Sequence, residues 1–306
     1  MNNQLTVWWL LVWFGLCLPG VVVRAQPSLQ VVMKVVEKEL PYSAGQRVRL
    51  TAEKADVSIH GWNRPVVSVR IRLTAKHTDR TVAEREVAYQ QYTIQQMGAD
   101  IDLSNRYAVP RGAGKVQSQL KAIYDISVPV GALLQLKNSF GDVRLTDLTG
   151  DVNLTFEFGK LSLDDIGGKL AVRSSYGDID GRGVDATLTL NAEKADVMLR
   201  DMAGRATIKS RYGKLTVVPT PSMTGLMIEA SRTEILVAAR RITDFQYDII
   251  TTFSDIRVPE AQQSELGKLG SKQTFTYQPP GRKSLIQIQN SYSNVTIQAD
   301  KSLVDR

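Results

Sequence analysis

From Gly141 to Pro221 the chain divides, without a single insertion, into nine units of nine residues: GDVRLTDLT, GDVNLTFEF, GKLSLDDIG, GKLAVRSSY, GDIDGRGVD, ATLTLNAEK, ADVMLRDMA, GRATIKSRY and GKLTVVPTP. A register held over so many copies is a structural period, and it restricts the chain to architectures built by repetition. The third position reads Val143, Val152, Leu161, Leu170, Ile179, Leu188, Val197, Ala206 and Leu215. The fifth reads Leu145, Leu154, Leu163, Val172, Gly181, Leu190, Leu199, Ile208 and Val217. Residues two apart on a strand share a face, so these positions define the buried side of a short strand. The Gly or Ala that opens each unit marks a tight turn. One unit is therefore one strand and one corner.

Two kinds of unit alternate. Odd units carry Leu148, Ile166, Val184 and Met202 at position eight, with Asp147, Asp165 and Asp201 at position seven; even units end in Phe158, Tyr176, Lys194 and Tyr212. The true period is thus eighteen residues, which meandering hairpins do not explain. A solenoid does, because unit n lies on unit n+2 and like corners stack in columns. The position-two residues Asp142, Lys160, Asp178, Asp196 and Lys214 are expected to form one ladder, mostly alternating in sign. The expected fold class is all-β: a solenoid with about 18 residues and two strands per rung, preceded by an irregular β-rich, sandwich-like region.

That first region is assigned to residues 26–130, with the repeat and its closing strands at 131–306. Val67, Val69, Ile71 and Leu73 alternate with Ser68, Arg70 and Arg72, the period of a half-buried strand with a wet basic face. Thr81 to Tyr89 fits either a short helix or a strand. TAEKADV at Thr51 to Val57 nearly duplicates NAEKADV at Asn191 to Val197, which hints at a divergent copy of the unit. Beyond Pro221 the pattern loosens. Glu260 to Gly281 is expected to loop out before the last strand closes the end, since an open rung edge would recruit another chain.

Residues 5–23 form an uncharged apolar stretch that ends in Val23 and is followed by Arg24 and Ala25, so residues 1–25 are expected to be a signal peptide cleaved after Ala25. The competing reading is an uncleaved anchor carrying a sensory ectodomain. Cleavage removes Cys17, the one cysteine, and with it any disulfide, thiolate ligand or cysteine nucleophile. The protein is then exported, to the periplasm, the outer-membrane surface or the medium, with no stable transmembrane span. The net charge of +7 has no Arg/Lys block, so nucleic acid is not an expected partner, while anionic envelope polymers remain compatible with it.

The entry ISVPVGALLQLKNSFGDVRL, the recurring corners FGDV, FGKL, YGDI and YGKL, and the late variants FSDI and YSNV resemble the putative-adhesin domain of bacterial β-strand-repeat envelope proteins, a domain of unknown function. The resemblance covers essentially the mature chain. It implies a right-handed β-helix-like repeat in the cell envelope and supplies no catalytic residues. Ala186, Ala195 and Lys194 depart from the usual corner.

No catalytic, cofactor-binding or metal site is expected. His60 and His77 lack carboxylate or cysteine partners in sequence, and the Gly-Gly-x-Gly-x-Asp order of calcium-binding β-rolls is missing. The Asp column of Asp147, Asp165 and Asp201 is expected to cap its own turns. The candidate binding surface is the aromatic column Phe140, Phe158, Tyr176 and Tyr212 with the cations Lys160, Lys194, Arg211 and Lys214. Facing solvent, it would grip an envelope polysaccharide, peptidoglycan or a protein; facing inward, it would only lock register. The leading expectation is a noncatalytic structural or adhesive protein. The alternative, an enzyme modifying envelope polysaccharide, would use surface carboxylates such as Asp164 with Asp165 or Asp178 with Asp180.

Overall fold

The structure is a computed structural model describing residues 28–299; the proposed signal peptide lies outside the described residues. In chain order the elements are β1 (Gln30–Pro41), β2 (Arg47–Glu53), β3 (Ala55–Trp62), β4 (Val66–His77), α1 (Arg80–Val87), β5 (Gln90–Met97), β6 (Asp100–Tyr107), β7 (Gln119–Pro129), β8 (Leu133–Ser139) and β9 (Val143–Leu148). Then follow β10 (Asp151–Glu193), β11 (Val197–Ala239), β12 (Phe245–Thr252), β13 (Ile256–Arg257), β14 (Leu266–Leu269), β15 (Lys272–Tyr277), β16 (Ser284–Ser291) and β17 (Val295–Ala299). Parallel and antiparallel pairings join all seventeen strands. The segment at 81–89 resolves as helix α1, whose start is fixed by the Asp79 carboxylate accepting the Thr81 amide at 2.8 Å.

The nine-residue units do not pair with their sequence neighbours. Val143 lies beside Leu161, Leu134 beside Val152, Ile179 beside Val197 and Leu188 beside Ala206, all parallel and all eighteen residues apart. β10 and β11 each run through several corners in a continuous solenoid-like path. All the third- and fifth-position side chains with a Cβ are at most 3% exposed, and they fill one core cluster shared with the first region. Leu163 and Leu190, at 3% and 1%, point inward as the period demands.

The first region enters the same stack. β2 pairs parallel with β8 (Val48 beside Leu134) and β3 with β9 (Val57 beside Val143). The TAEKADV segment therefore forms the rung beneath the regular repeat, as its likeness to NAEKADV hinted. β4, β7 and β1 then continue one column of strands, with β4 antiparallel to both neighbours. The β5–β6 hairpin continues the other, through β6 on β2.

At the far end the order of strands departs from the order of sequence. β16 and β17 slot between the rung at 226–239 and β12–β13: Leu226 and Tyr247 both flank Ile286, while Ile235 and Ile256 both flank Val295. The last strands are thus internal, and the expected closing role falls to the 260–281 excursion instead. There β15 pairs antiparallel with β12 and β14 with β15, a hairpin that covers the outgoing edge. The edge left open is then only that of β14, four residues long.

Candidate functional site

Corner geometry determines where the candidate residues lie. Among the described residues every non-glycine residue with positive φ falls in one of two corner columns. One contains Asp147, Asp165 and Asp201 at φ 55, 52 and 53. The other contains Lys54, Phe140, Phe158, Tyr176, Lys194, Tyr212, Arg232, Phe253 and Tyr292, with φ from 48 to 64. The left-handed conformation is disfavoured for side chains with a Cβ, so each such corner needs compensation from its neighbours.

The second column supplies that compensation outside and inside. Outside, Phe140 and Phe158 stack at 4.9 Å with parallel planes, and Phe158 and Tyr176 at 5.1 Å. Lys194 follows, its Nζ 4.7 Å from the Tyr176 ring centre and 2.9 Å from the phenol oxygen. That hydrogen bond, with the charge distribution around Tyr176, raises the Lys194 pKa. Arg232 lies over both Tyr212 (5.6 Å) and Tyr292 (5.0 Å), and Tyr292 stacks on Phe253 at 5.3 Å. At the other end Lys54 covers the Tyr107 ring at 5.5 Å. Lys194, which breaks the aromatic pattern in sequence, preserves the stack through a cation–π contact.

Inside the same corners the chain turns carbonyls toward the core, where each needs a donor. Asn138 Nδ2 donates to Ala55 O and Gly141 O, both at 3.1 Å; Ser174 Oγ donates to Gly177 O at 2.8 Å; Asn290 Nδ2 reaches Ser293 O at 2.7 Å. Phe156 takes the equivalent place one rung along, and its ring fills the space beside Gly177, where an added Cβ would lie 2.2 Å from Cε1.

The column faces solvent, which overturns the inward-facing reading, and its rings stack on one another there all the same. Phe140, Phe158, Tyr176 and Tyr212 are 52%, 42%, 49% and 38% exposed. Yet for Phe158 both ring faces are turned to neighbours, so the column offers mainly ring edges to a ligand. The flanking cations are spread around it. Lys160 Nζ is held by Asp180 at 3.2 Å and Lys214 Nζ by Glu234 at 3.8 Å, while Arg211 lies across the corner beside Arg173 in a surface depression. Sequence reasoning did not place Lys54, Arg232, Phe253 and Tyr292 in this column, nor Tyr107 against it. Phe253 and Tyr292 were legible as the first residues of FSDI and YSNV, and Lys54 as the counterpart of Lys194; Arg232 had no comparable sequence signal.

Two further expectations need correction. The position-two residues do not neutralise each other by ion pairing. Asp142, Asp178 and Asp196 instead accept the backbone amides of Lys160, Asp196 and Lys214, each at 2.9 Å, because the carboxylate reaches the next rung's N–H at the turn. Asp147 and Asp201 likewise reach other rungs rather than their own turns, to His60 Nδ1 and Arg182 Nε, each at 3.2 Å. Their positions are explained by the positive φ, which Asp tolerates better than most residues.

Of the four carboxylates considered for acid–base work, Asp164 and Asp165 are exposed on the surface, and Asp178 and Asp180 are committed elsewhere. Asp178 holds the Asp196 amide, and Asp180 is clamped between Lys160 and Arg200. Burial pushes the Asp180 pKa up, but the hydrogen bonds and charges of those two cations outweigh it and leave the pKa lowered. A glycosidic general acid requires the opposite shift. His60 and His77 are surface residues, and His77 Nδ1 accepts the Asp79 amide at 2.9 Å ahead of α1. Among the described residues no group of three or more His, Cys, Asp or Glu could hold a metal ion, and no helix is long and apolar enough to cross a membrane.

The model of the Toastrack DUF4097 family matches residues 39–298. No curated protein matches the chain. Among solved structures, a putative adhesin from Bacteroides fragilis is similar at 11% identity and TM-score 0.44, over 87% of this chain and 97% of that one. A putative adhesin from Parabacteroides merdae is similar at 13% identity and TM-score 0.34, over 87% and 96%. A putative cell adhesion protein from Clostridium sporogenes is similar at 10% identity and TM-score 0.26, over 88% and 99%.

Proposed function

The chain belongs to the Toastrack DUF4097 family, and from that footing we propose that it is a noncatalytic protein of the cell envelope or the secreted fraction, with a structural or adhesive role, binding another macromolecule through its rigid β-repeat surface. The observation that carries this reading is the exposed corner column. A ladder of rings and cations joins successive rungs along the outside of the stack, so the surface beside it is held as one stiff face. The recognition surface in this reading comprises the ring edges of Phe140, Phe158, Tyr176 and Tyr212 with Lys160, Lys194, Arg211 and Lys214. The partner is an envelope polysaccharide, peptidoglycan or a protein.

The same reading has residues 1–25 removed as a signal peptide and the mature chain residing outside the cytoplasm. It takes the stack as a right-handed coil of two strands per rung. Parallel pairing at a constant offset of eighteen supports that coil, since crossovers between parallel strands in one sheet are nearly always right-handed. The reading keeps a division at residue 131, with the described residues from there onward as the repeat closed by the β14–β15 hairpin, and those before it as the irregular lead-in that supplies the β2–β3 rung.

The test is retention of purified, labelled protein on isolated bacterial envelopes, together with adhesion and envelope integrity of cells lacking it. Saturable retention and a defect in either property are expected. No retention and no defect would overturn the reading.

A further inference from the structure

One broad face of the stack, made by β8, β10 and β11, carries three depressions that share lining residues and merge into one groove. The first two share Asn153, Ala171 and Thr189; the second and third share Arg173 and Asn191. The groove has a steric origin in the repeat. In the outward row Gln135, Asn153, Ala171, Thr189, the third member has no side chain beyond Cβ, and Ser175 is similarly short beyond Arg173.

The next outward row is Lys137, Thr155, Arg173, Asn191 and Lys209, with Lys137 beside Thr155 and Asn191 beside Lys209 in the parallel register. Cations thus recur on every second rung, and a hydroxyl or an amide stands between them. With rungs at about 4.8 Å the cations are about 10 Å apart along the groove. Lys209 is paired to Glu229 at 2.8 Å, whereas the side chains of Lys137 and Arg173 have no ion-pair or hydrogen-bond partner among the described residues. Glu193 at the groove's end has Arg211 and Lys209 lining the same depression.

We propose that this groove binds a linear anionic polysaccharide, with Arg173 and Lys137 taking carboxylates one disaccharide apart and Thr155, between them, and Asn191, beyond Arg173, bonding sugar hydroxyls. The proposal rests on the macromolecule-binding reading above, names the ligand class, and extends the recognition surface from the corner column to the adjoining strand face, the two sharing Arg211. Charge complementarity favours an anion, and the row of neutral hydrogen-bonding groups between the cations suits a hydroxyl-rich chain. An acidic peptide in extended form would place same-face carboxylates about 7 Å apart, out of step with this spacing.

The test titrates the purified protein with a hyaluronan decasaccharide, which carries one carboxylate per disaccharide, with a neutral dextran oligomer of equal length and with anionic phospholipid vesicles. Hyaluronan alone should bind, with affinity falling as salt rises. R173Q and K137Q should each weaken binding about tenfold, the loss of one charged hydrogen bond. A171W should block it by filling the groove floor. K268Q, on the distant hairpin, should leave it unchanged, and melting curves should show all four variants folded. Absent hyaluronan binding, equal binding of dextran, binding of vesicles alone, or hyaluronan binding insensitive to R173Q and A171W would each overturn the proposal. If hyaluronan does not bind while isolated envelopes still retain the protein, the groove assignment falls and the broader reading stands; loss of retention removes the broader reading separately.

Discussion

The corner ladder makes a quantitative claim that one residue can test. Phe158 is 42% exposed, yet it stacks at 4.9 Å on Phe140 and 5.1 Å on Tyr176. Its buried part is roughly 100 Å², worth about 2.5 kcal/mol at about 25 cal/mol per Å². The two stacks add about 0.5 to 1.5 kcal/mol each, part of which the methyl of an alanine and the screening of an exposed site remove. Phe158→Ala retains the cost of φ 53 and removes only the ring, so a loss of about 3 kcal/mol is expected. Phe158→Gly removes the ring and also relieves the backbone, by about 1 kcal/mol, and should lose about 2 kcal/mol. Reversible urea unfolding of wild type and both variants gives these differences directly. A cycle of Phe158→Ala with Phe140→Ala should show coupling of about 1 kcal/mol, since the rings touch. A loss under about 1 kcal/mol for the alanine variant, or a glycine variant more stable than wild type, would mean that the column is decoration on a corner set by the backbone alone.

Four other outcomes follow from the same geometry. Leu163→Asp places an unpaired carboxylate at a site 3% exposed and should abolish cooperative unfolding, as read by near-UV circular dichroism through a urea titration. Gly177→Ala drives a methyl into the Phe156 ring and should cost about 1 to 3 kcal/mol in the same titration, with partial recovery in a Phe156→Leu background. Asn138→Ala leaves two buried carbonyls without their donor and should cost about 2 kcal/mol; Asn138→Asp, which lacks that donor, should rescue nothing. Burial raises the pKa of Glu86, but the amides of Ser118 and Gln117, with Arg85, outweigh it and leave the folded value below the ordinary 4.5. A depressed folded pKa means that its stabilisation is complete above the unfolded value and is lost as pH falls through the folded one. Glu86→Gln should therefore flatten the dependence of stability on pH below about 4.5, measured by melting across that range; an unchanged slope would refute the assignment.

Much of this protein was legible in one dimension because stacking at a constant offset of eighteen residues converts sequence distance into spatial distance. The nine-residue unit predicted the strand and the corner, the eighteen-residue alternation predicted which unit lies on which, and the third and fifth positions predicted the core from Val143 to Val217. Even the duplicate TAEKADV located a rung in the first region. Nearest-neighbour stacking needs only local periodicity, so local patterns were enough. The tertiary structure decided whatever depends on contacts that the period does not encode. β16 and β17 slide between earlier rungs because pairing is chosen by hydrogen bonding across space, and chain order does not constrain it. The acidic ladder turned to backbone amides because a short carboxylate reaches the next N–H at the turn. Whether the aromatic column faces water or core was also beyond the sequence. Positive φ swings each corner side chain outward, and only the neighbouring rung, placing a ring or a cation against it, gives that conformation its stability.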